Sequence, residues 1–121
     1  MKYEPRIALA TITETRERFR KIRTPMVEEE INVMSWLKKD AQVLESPPLI
    51  SSENVMFFAD SIKQFDAHVL VIHIPVWTDP VLSVKLSQMI DRPLVLVGNL
   101  RKDTSVWLGC WAAAERLTRL A

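Results

Sequence analysis

Residues 67–99 read AHVLVIHIPVWTDPVLSVKLSQMIDRPLVLVGN, with an apolar run at each end and a polar turn after the first run. Its opening run, Ala67 to Ile74, is almost continuously apolar, which is typical of a parallel strand that helices cover on both faces. Asp79 followed by Pro80 indicates a helix start, with an acidic N-cap before a proline at the first helical position. The run RPLVLVGN then predicts another strand. This order favours a parallel β-α-β unit with a right-handed connection.

The amino-terminal half predicts the same alternation of strands and helices. Pro25 suits the first turn of a helix, so the segment from Thr15 to Arg23 is expected to form a separate or kinked turn. The predicted elements are strands at Arg6 to Ile12 and Ala41 to Glu45, and helices at Glu14 to Lys39 and about Glu53 to Phe65. Together these elements predict an α/β fold: an open, doubly wound parallel sheet of about four strands in three αβα layers, Rossmann-like or flavodoxin-like.

The composition is that of an ordinary globular domain. A chain of 121 residues has room for one domain, and 48% hydrophobic residues with a net charge of +1 give no reason to expect a nucleic-acid partner. The longest apolar run is interrupted by His73 and Pro75 and is far shorter than the roughly 20 residues that cross a membrane. The single cysteine, Cys110, and an amino terminus without a secretion signal lead us to expect a cytoplasmic protein.

Several kinds of chemistry lack their sequence patterns. The chain has only two glycines, Gly98 and Gly109, and neither a G-x-G-x-x-G pattern nor a P-loop, which argues against a dinucleotide, flavin or triphosphate site. His68 and His73 are five residues apart in one predicted strand, so they are expected on opposite faces and not on one metal. No spacing indicates a catalytic triad or a Cys/His pair. We therefore predict a binding edge without a catalytic residue or a metal ligand.

Ligands of open α/β sheets bind beyond the carboxyl ends of the strands, and three side chains are candidates there. Trp77 follows the central strand; it either offers a flat apolar platform to a sugar or packs over the end of the sheet. Arg16 follows the first strand and either gives polar contacts to the same ligand or is a solvated surface arginine. Asn99, at the end of the fourth strand, is a candidate by position alone.

The stretches RIALATITETRERF and IHIPVWTDPVLSVKLSQMIDRPLVLVGN, with the helical segment between them, resemble the amino-terminal domain of the L-fucose isomerase and L-arabinose isomerase superfamily. The resemblance covers about residues 4–105. It implies a family of aldose–ketose isomerases that depend on a divalent metal, typically manganese, whose ligands come from later domains. In the fucose isomerase branch this domain supplies an arginine and a tryptophan to a neighbouring subunit's sugar. Trp77 matches that tryptophan, and Arg16 matches the arginine.

The resemblance implies a sugar substrate, a homo-oligomer and a mechanism that belongs to the complete protein. There a divalent metal polarises the oxygens of the substrate while carboxylates move protons through an enediol. The expectation for this chain is substrate positioning and oligomer contacts, with no cofactor of its own and no isomerase activity alone.

The resemblance stops at Ser105, where VWLGCWAAAERLTRLA begins. We expect residues 1–105 to form the isomerase-like domain and residues 106–121 a terminal helix. That helix is either native to this lineage or an out-of-frame, foreign tail on a truncated chain. Two other functions stay open from the residues alone. The chain could be a stand-alone flavodoxin-like module that binds a small molecule or a protein, or a structural oligomerisation domain.

Overall fold

A computed structural model describes residues 4–76 and 78–98 of the chain. Strands and helices alternate along this part of the sequence, as the apolar pattern predicts. The strands are β1 Arg6–Thr11, β2 Gln42–Glu45, β3 Val69–His73 and β4 Leu94–Val97, and the α-helices are α1 Glu17–Val33, α2 Ser52–Phe65 and α3 Val81–Met89, with a 3-10 helix at Met34–Lys39.

The four strands form one parallel sheet in the order β2-β1-β3-β4. Ala8 pairs with Leu44 on one side and Leu70 on the other, and Leu70 in turn pairs with Leu94. The chain leaves β1 for β2 on one side and then crosses back to β3 on the other. The strand order therefore reverses between β1 and β3, which is the topological switch point of the fold. The prediction of a doubly wound α/β sheet is confirmed.

Apolar side chains alternate between the two faces of the sheet. On one face, Ala8, Ala10 and Ile72 pack in a large core with the buried stripes of α2 and α3. On the other face, Leu9 and Val71 pack with Met34 of the 3-10 helix in a smaller core. This gives three layers, αβα. No helix in residues 4–76 and 78–98 is long and apolar enough to span a bilayer.

The helix boundaries differ from the prediction at two prolines. Pro25 lies inside α1, so the segment before it is part of the same helix and not the separate turn that was one of the two predicted forms. Proline cannot donate a backbone hydrogen bond there, but the preceding Thr24 adds one, from its Oγ1 to the carbonyl oxygen of Arg20 at 2.8 Å. At α3, Pro80 is the N-cap, while the Asp79 carboxylate still accepts from the Val81 N–H at 3.0 Å. The predicted capping contact is present and the boundary moves by one residue.

Candidate functional site

Hydrogen bonds join the segments that leave β1 and β3 at the switch point. The Thr78 hydroxyl donates to the carbonyl oxygen of Thr13 at 3.1 Å, and both residues are buried. A third segment, after β2, runs beside them through the isolated bridge between Ile12 and Leu49. Because all the strands are parallel, their carboxyl ends meet at one edge, and these bonds fix the relative positions of three of the connecting segments.

Two prolines after β2 interrupt the normal strand ladder at this edge. Pro47 and Pro48 have no N–H to donate, and the chain resumes pairing only at Leu49, whose N–H donates to the carbonyl oxygen of Thr11 at 2.8 Å. Between these points the Ser46 hydroxyl accepts from the Thr11 N–H at 3.0 Å. The serine thus satisfies a buried backbone donor and leaves Pro48 at the rim of the edge.

Glu14 is a buried carboxylate held between two arginines. Its side chain is only 2% exposed. Oε1 accepts from Nε of Arg16 at 2.7 Å, and Oε2 accepts from Arg16 at 3.0 Å and from Arg23 at 3.0 Å. The Arg16 backbone N–H adds a fourth bond to Oε1 at 3.2 Å. A buried carboxylate requires such partners, because its desolvation is costly without them.

Arg16 lies at the surface between Glu14 and Phe19. Its side chain is 50% exposed, and its guanidinium carbon lies 4.2 Å from the ring centroid of Phe19. The bidentate pair with Glu14 fixes the plane of the guanidinium, and the aromatic ring supports one of its faces. The result is an arginine with a defined orientation at the carboxyl edge of the sheet, half of it accessible to another molecule.

Glu14 and Arg16 each shift the pKa of the other. The hydrogen bonds from Arg16 hold the pKa of the Glu14 carboxyl below its ordinary value, against the opposing effect of burial, and Arg23 acts in the same direction. Glu14 in turn raises the pKa of Arg16. Both groups are therefore charged at neutral pH, and the site presents a fixed cationic surface.

A cavity of about 260 Å³ lies next to Glu14, beside the first half of α1. We call it the α1 cavity. Thr13, Glu14 and Pro48 form its edge toward the sheet, and α1 forms the rest with polar and apolar side chains. The α1 residues that line it are Arg20, Lys21, Arg23, Thr24, Val27, Glu28 and Ile31. A second cavity, of about 210 Å³, lies at the opposite edge near Asp66 and Arg92, which are joined in an ion pair of 3.2 Å.

The two histidines have different surroundings. His73 is 2% exposed, its Nδ1 lies 3.5 Å from the Thr11 hydroxyl, and burial lowers its pKa to about 4, so it is neutral at physiological pH. His68 precedes β3, and its Nδ1 accepts from the Arg6 N–H at 2.9 Å. Across residues 4–76 and 78–98, no group of three or more His, Cys, Asp or Glu side chains is placed to hold a metal ion.

The structure describes one of the three predicted binding residues. Arg16 lies at the carboxyl edge of the sheet, beside the switch point, where its side chain bonds to Glu14. Trp77 and Asn99 lie outside the described residues, as does the predicted boundary between residues 1–105 and 106–121. Val76 and Thr78, on either side of Trp77, are both buried at this edge.

Sequence reasoning missed Glu14, Thr13 and Arg23 as site residues. The available signal was an acid directly after a buried strand and two residues before an arginine, in TETR. That spacing does not reveal whether the carboxylate is buried, because the side chain's direction depends on how the chain turns from β1 into α1.

A comparison of the chain with models of known protein families gives no match, and a search among curated proteins gives none either.

Proposed function

We propose that this chain is the amino-terminal domain of a sugar (aldose–ketose) isomerase-like protein, in which it positions the substrate and contributes to contacts between subunits. The observation that carries the proposal is Arg16: the buried Glu14 carboxylate holds it beside the switch point of the sheet with half of its side chain exposed. Arg16 and Trp77 are the two positions at which the family resemblance expects a contact with the sugar.

The chemistry of these residues suits a sugar. An oriented guanidinium donates several hydrogen bonds in one plane, which matches neighbouring hydroxyl oxygens, and an indole ring packs against the apolar C–H face of a pyranose. Asn99 adds an amide that both donates and accepts. Glu14 touches no substrate in this scheme. It is a positioning residue, because it fixes the plane of the Arg16 guanidinium.

In this proposal the chemical steps of the isomerisation take place on other domains. The manganese site and the carboxylates that move protons belong to sequence outside this chain, and the described residues bring no metal-binding group together. The proposal accordingly includes a cytoplasmic homo-oligomer in which this domain reaches a neighbouring subunit's sugar. It also predicts that the chain alone has no isomerase activity.

Two experiments test the proposal. Sequencing the coding DNA shows whether a long reading frame that encodes a metal-binding domain continues beyond residues 106–121; a gene without one contradicts it. The complete frame, assayed with manganese and a panel of aldoses, is expected to interconvert an aldose and a ketose. In that protein Trp77→Ala should raise KM, and Arg16→Gln should do the same.

Trp36→Ala is the matched control for Trp77→Ala. Trp36 is 59% exposed on the 3-10 helix that precedes β2, so it lies toward the opposite edge of the sheet. The Trp36→Ala substitution should leave KM unchanged. If Trp77→Ala leaves turnover and KM unchanged and only lowers the melting temperature, Trp77 is a packing residue and the sugar-platform assignment is wrong.

One observation favours a second candidate, a stand-alone flavodoxin-like module that binds a small molecule. The α1 cavity, of about 260 Å³, is formed within the described part of this chain and needs no other domain. This volume is close to the roughly 300 Å³ at which small-molecule pockets begin. A gene that ends with this chain, together with ligand binding by the isolated protein, would favour the module over the isomerase domain.

A further inference from the structure

The α1 cavity is lined by a residue whose buried hydroxyl has no partner within residues 4–76 and 78–98. Thr13 is 2% exposed and lines the cavity, and its Oγ1 has no hydrogen-bond partner among the described residues. Buried hydroxyls are nearly always bonded, because losing water without a replacement is costly. The Thr13 backbone is already used, since its carbonyl accepts from Thr78 and its N–H donates to Leu49. Its hydroxyl is the remaining polar group, and a rotation about χ1 would turn this buried oxygen toward a ligand in the cavity.

A second group in the same cavity is also unused. Arg20 is half-buried in α1, and its guanidinium makes no hydrogen bond or ion pair with any residue of the described chain. The neighbouring cations differ, because Arg23 bonds to Glu14 and Lys21 lies 4.0 Å from Glu17. Thr13 and Arg20 line the same cavity from the sheet side and from α1. A hydroxyl and a guanidinium both suit an acceptor oxygen, and a guanidinium binds a carboxylate best.

The rest of the lining is apolar and limits the charge of the ligand. Val27, Ile31 and Pro48 face the cavity with their hydrocarbon surfaces. The lining holds three basic and two acidic residues, and the buried acid, Glu14, is already bonded to Arg16 and Arg23. One positive charge is left in excess. Such a site suits a single negative charge on an apolar body better than a dianion.

Phosphate is disfavoured for a further reason. Phosphate sites in α/β folds approach the backbone N–H groups of a glycine-rich turn, and no glycine occurs between β1 and α1 or anywhere in the cavity lining. We infer that the α1 cavity binds a small monocarboxylate with an apolar body, its carboxylate on Arg20 and the Thr13 hydroxyl and its body against Val27, Ile31 and Pro48. This inference does not rest on the sugar function, which uses Arg16, Trp77 and Asn99.

The test uses the 121-residue chain, with 3-methylbutanoate as probe and NMR chemical-shift titration as readout. The neutral 3-methylbutanamide and inorganic phosphate are the comparison ligands. We expect saturable shifts from the carboxylate at α1 and Thr13, with a millimolar Kd that is ordinary for so few heavy atoms. The amide and phosphate should each bind at least about tenfold more weakly, because one lacks the charge and the other the apolar body.

Two substitutions address the two unused groups. Arg20→Gln should weaken carboxylate binding about tenfold or more, and Thr13→Val, which keeps the side-chain shape, about three- to tenfold. Lys39→Gln is the charge control, since it removes one positive charge from an exposed position at the end of the 3-10 helix, and it should leave Kd unchanged. Melting curves without ligand verify that each variant is folded.

The readouts separate a ligand role from a structural one. If Thr13 has only a structural role, Thr13→Val changes the melting temperature and leaves Kd unchanged, which overturns the inference. Shifts that are absent, that appear equally with the amide, that are stronger with phosphate, or that Arg20→Gln leaves intact also overturn it. None of these outcomes bears on sugar turnover, so the sugar proposal stands or falls separately.

Discussion

Replacing Glu14 with glutamine tests whether this buried carboxylate organises the edge of the sheet. The substitution keeps the size of the side chain but removes its charge and one of its two acceptor oxygens. In the wild-type protein three arginine side-chain N–H groups, at 2.7, 3.0 and 3.0 Å, share the two oxygens of the Glu14 carboxylate. A glutamine can accept from only one side, and its NH2 group would face another donor.

The expected loss of stability depends on how exposed the two arginine partners of Glu14 are. Removing one member of a fully buried ion pair costs about 3–5 kcal/mol because the other charge is stranded. Here Arg16 is half exposed and returns to water, so we assign it no share of the loss. Arg23 is 21% exposed, and its bond to a charged acceptor contributes roughly 1.5–3 kcal/mol. We therefore expect Glu14→Gln to lower the free energy of unfolding by about 2 kcal/mol at pH 7.

The pH dependence provides the sharper assay. The arginines depress the pKa of Glu14 in the folded state, so the unfolded chain binds a proton at this site first as the pH falls. The stabilisation is complete above the unfolded pKa of about 4.3 and is lost as the pH falls through the lower folded value. Urea unfolding at pH 7 and at pH 3 should thus give a smaller difference between wild type and Glu14→Gln at pH 3.

Glu17→Gln is the control, because the Glu17–Lys21 pair is 4.0 Å long with both side chains more than 70% exposed. It should cost less than about 0.5 kcal/mol. A Glu14→Gln loss no larger than that of the control, or one that does not shrink at low pH, would refute the reasoning about the buried carboxylate.

Three further predictions concern the scaffold. Burial lowers the pKa of His73 to about 4, below its unfolded value of about 6.5, so the unfolded chain takes up the proton first as the pH falls. The free energy of unfolding should therefore decrease by roughly 3 kcal/mol as the pH is lowered from 6.5 to 4. His73→Leu should remove that dependence in urea titrations; a slope that persists in the variant would assign it to other groups. Phe58→Ala, in the core of α2 at 4% exposure, should cost about 3–5 kcal/mol, whereas Phe57→Ala, at 79% exposure, should cost little; equal losses would contradict the observed face of the helix. Ser51→Ala removes the N-cap that accepts from the Asn54 N–H at 3.2 Å and should lower stability by about 1 kcal/mol in thermal unfolding, with an unchanged melting curve as the contrary result.

Arg16 illustrates what the order of elements predicts about a site. Parallel strands place their carboxyl ends at one edge, so an arginine soon after β1 has to lie near the segment that follows β3. Sequence spacing gave that location. It did not give the orientation of the guanidinium, because that depends on Glu14 turning inward and on Phe19 lying 4.2 Å away.

Pro25 illustrates why boundaries were predicted less well. A local rule places proline at the start of a helix, where its missing N–H has no cost. In the structure α1 begins at Glu17 and continues through Pro25 to Val33. Within a helix a proline removes one backbone hydrogen bond, and the other bonds of α1 hold the helix together on both sides of it.

The class of fold follows from the amino-acid pattern, because the apolar period of each segment indicates strand or helix and parallel strands need long connections that are usually helical. The sequence also shows that no glycine-rich phosphate loop joins β1 to α1. Tertiary packing sets the strand order β2-β1-β3-β4, the burial of Glu14 between two arginines, and the α1 cavity beside the unbonded hydroxyl of Thr13. Each of these depends on residues far apart in sequence whose side-chain directions are set by packing, and a pattern along one chain does not contain those directions.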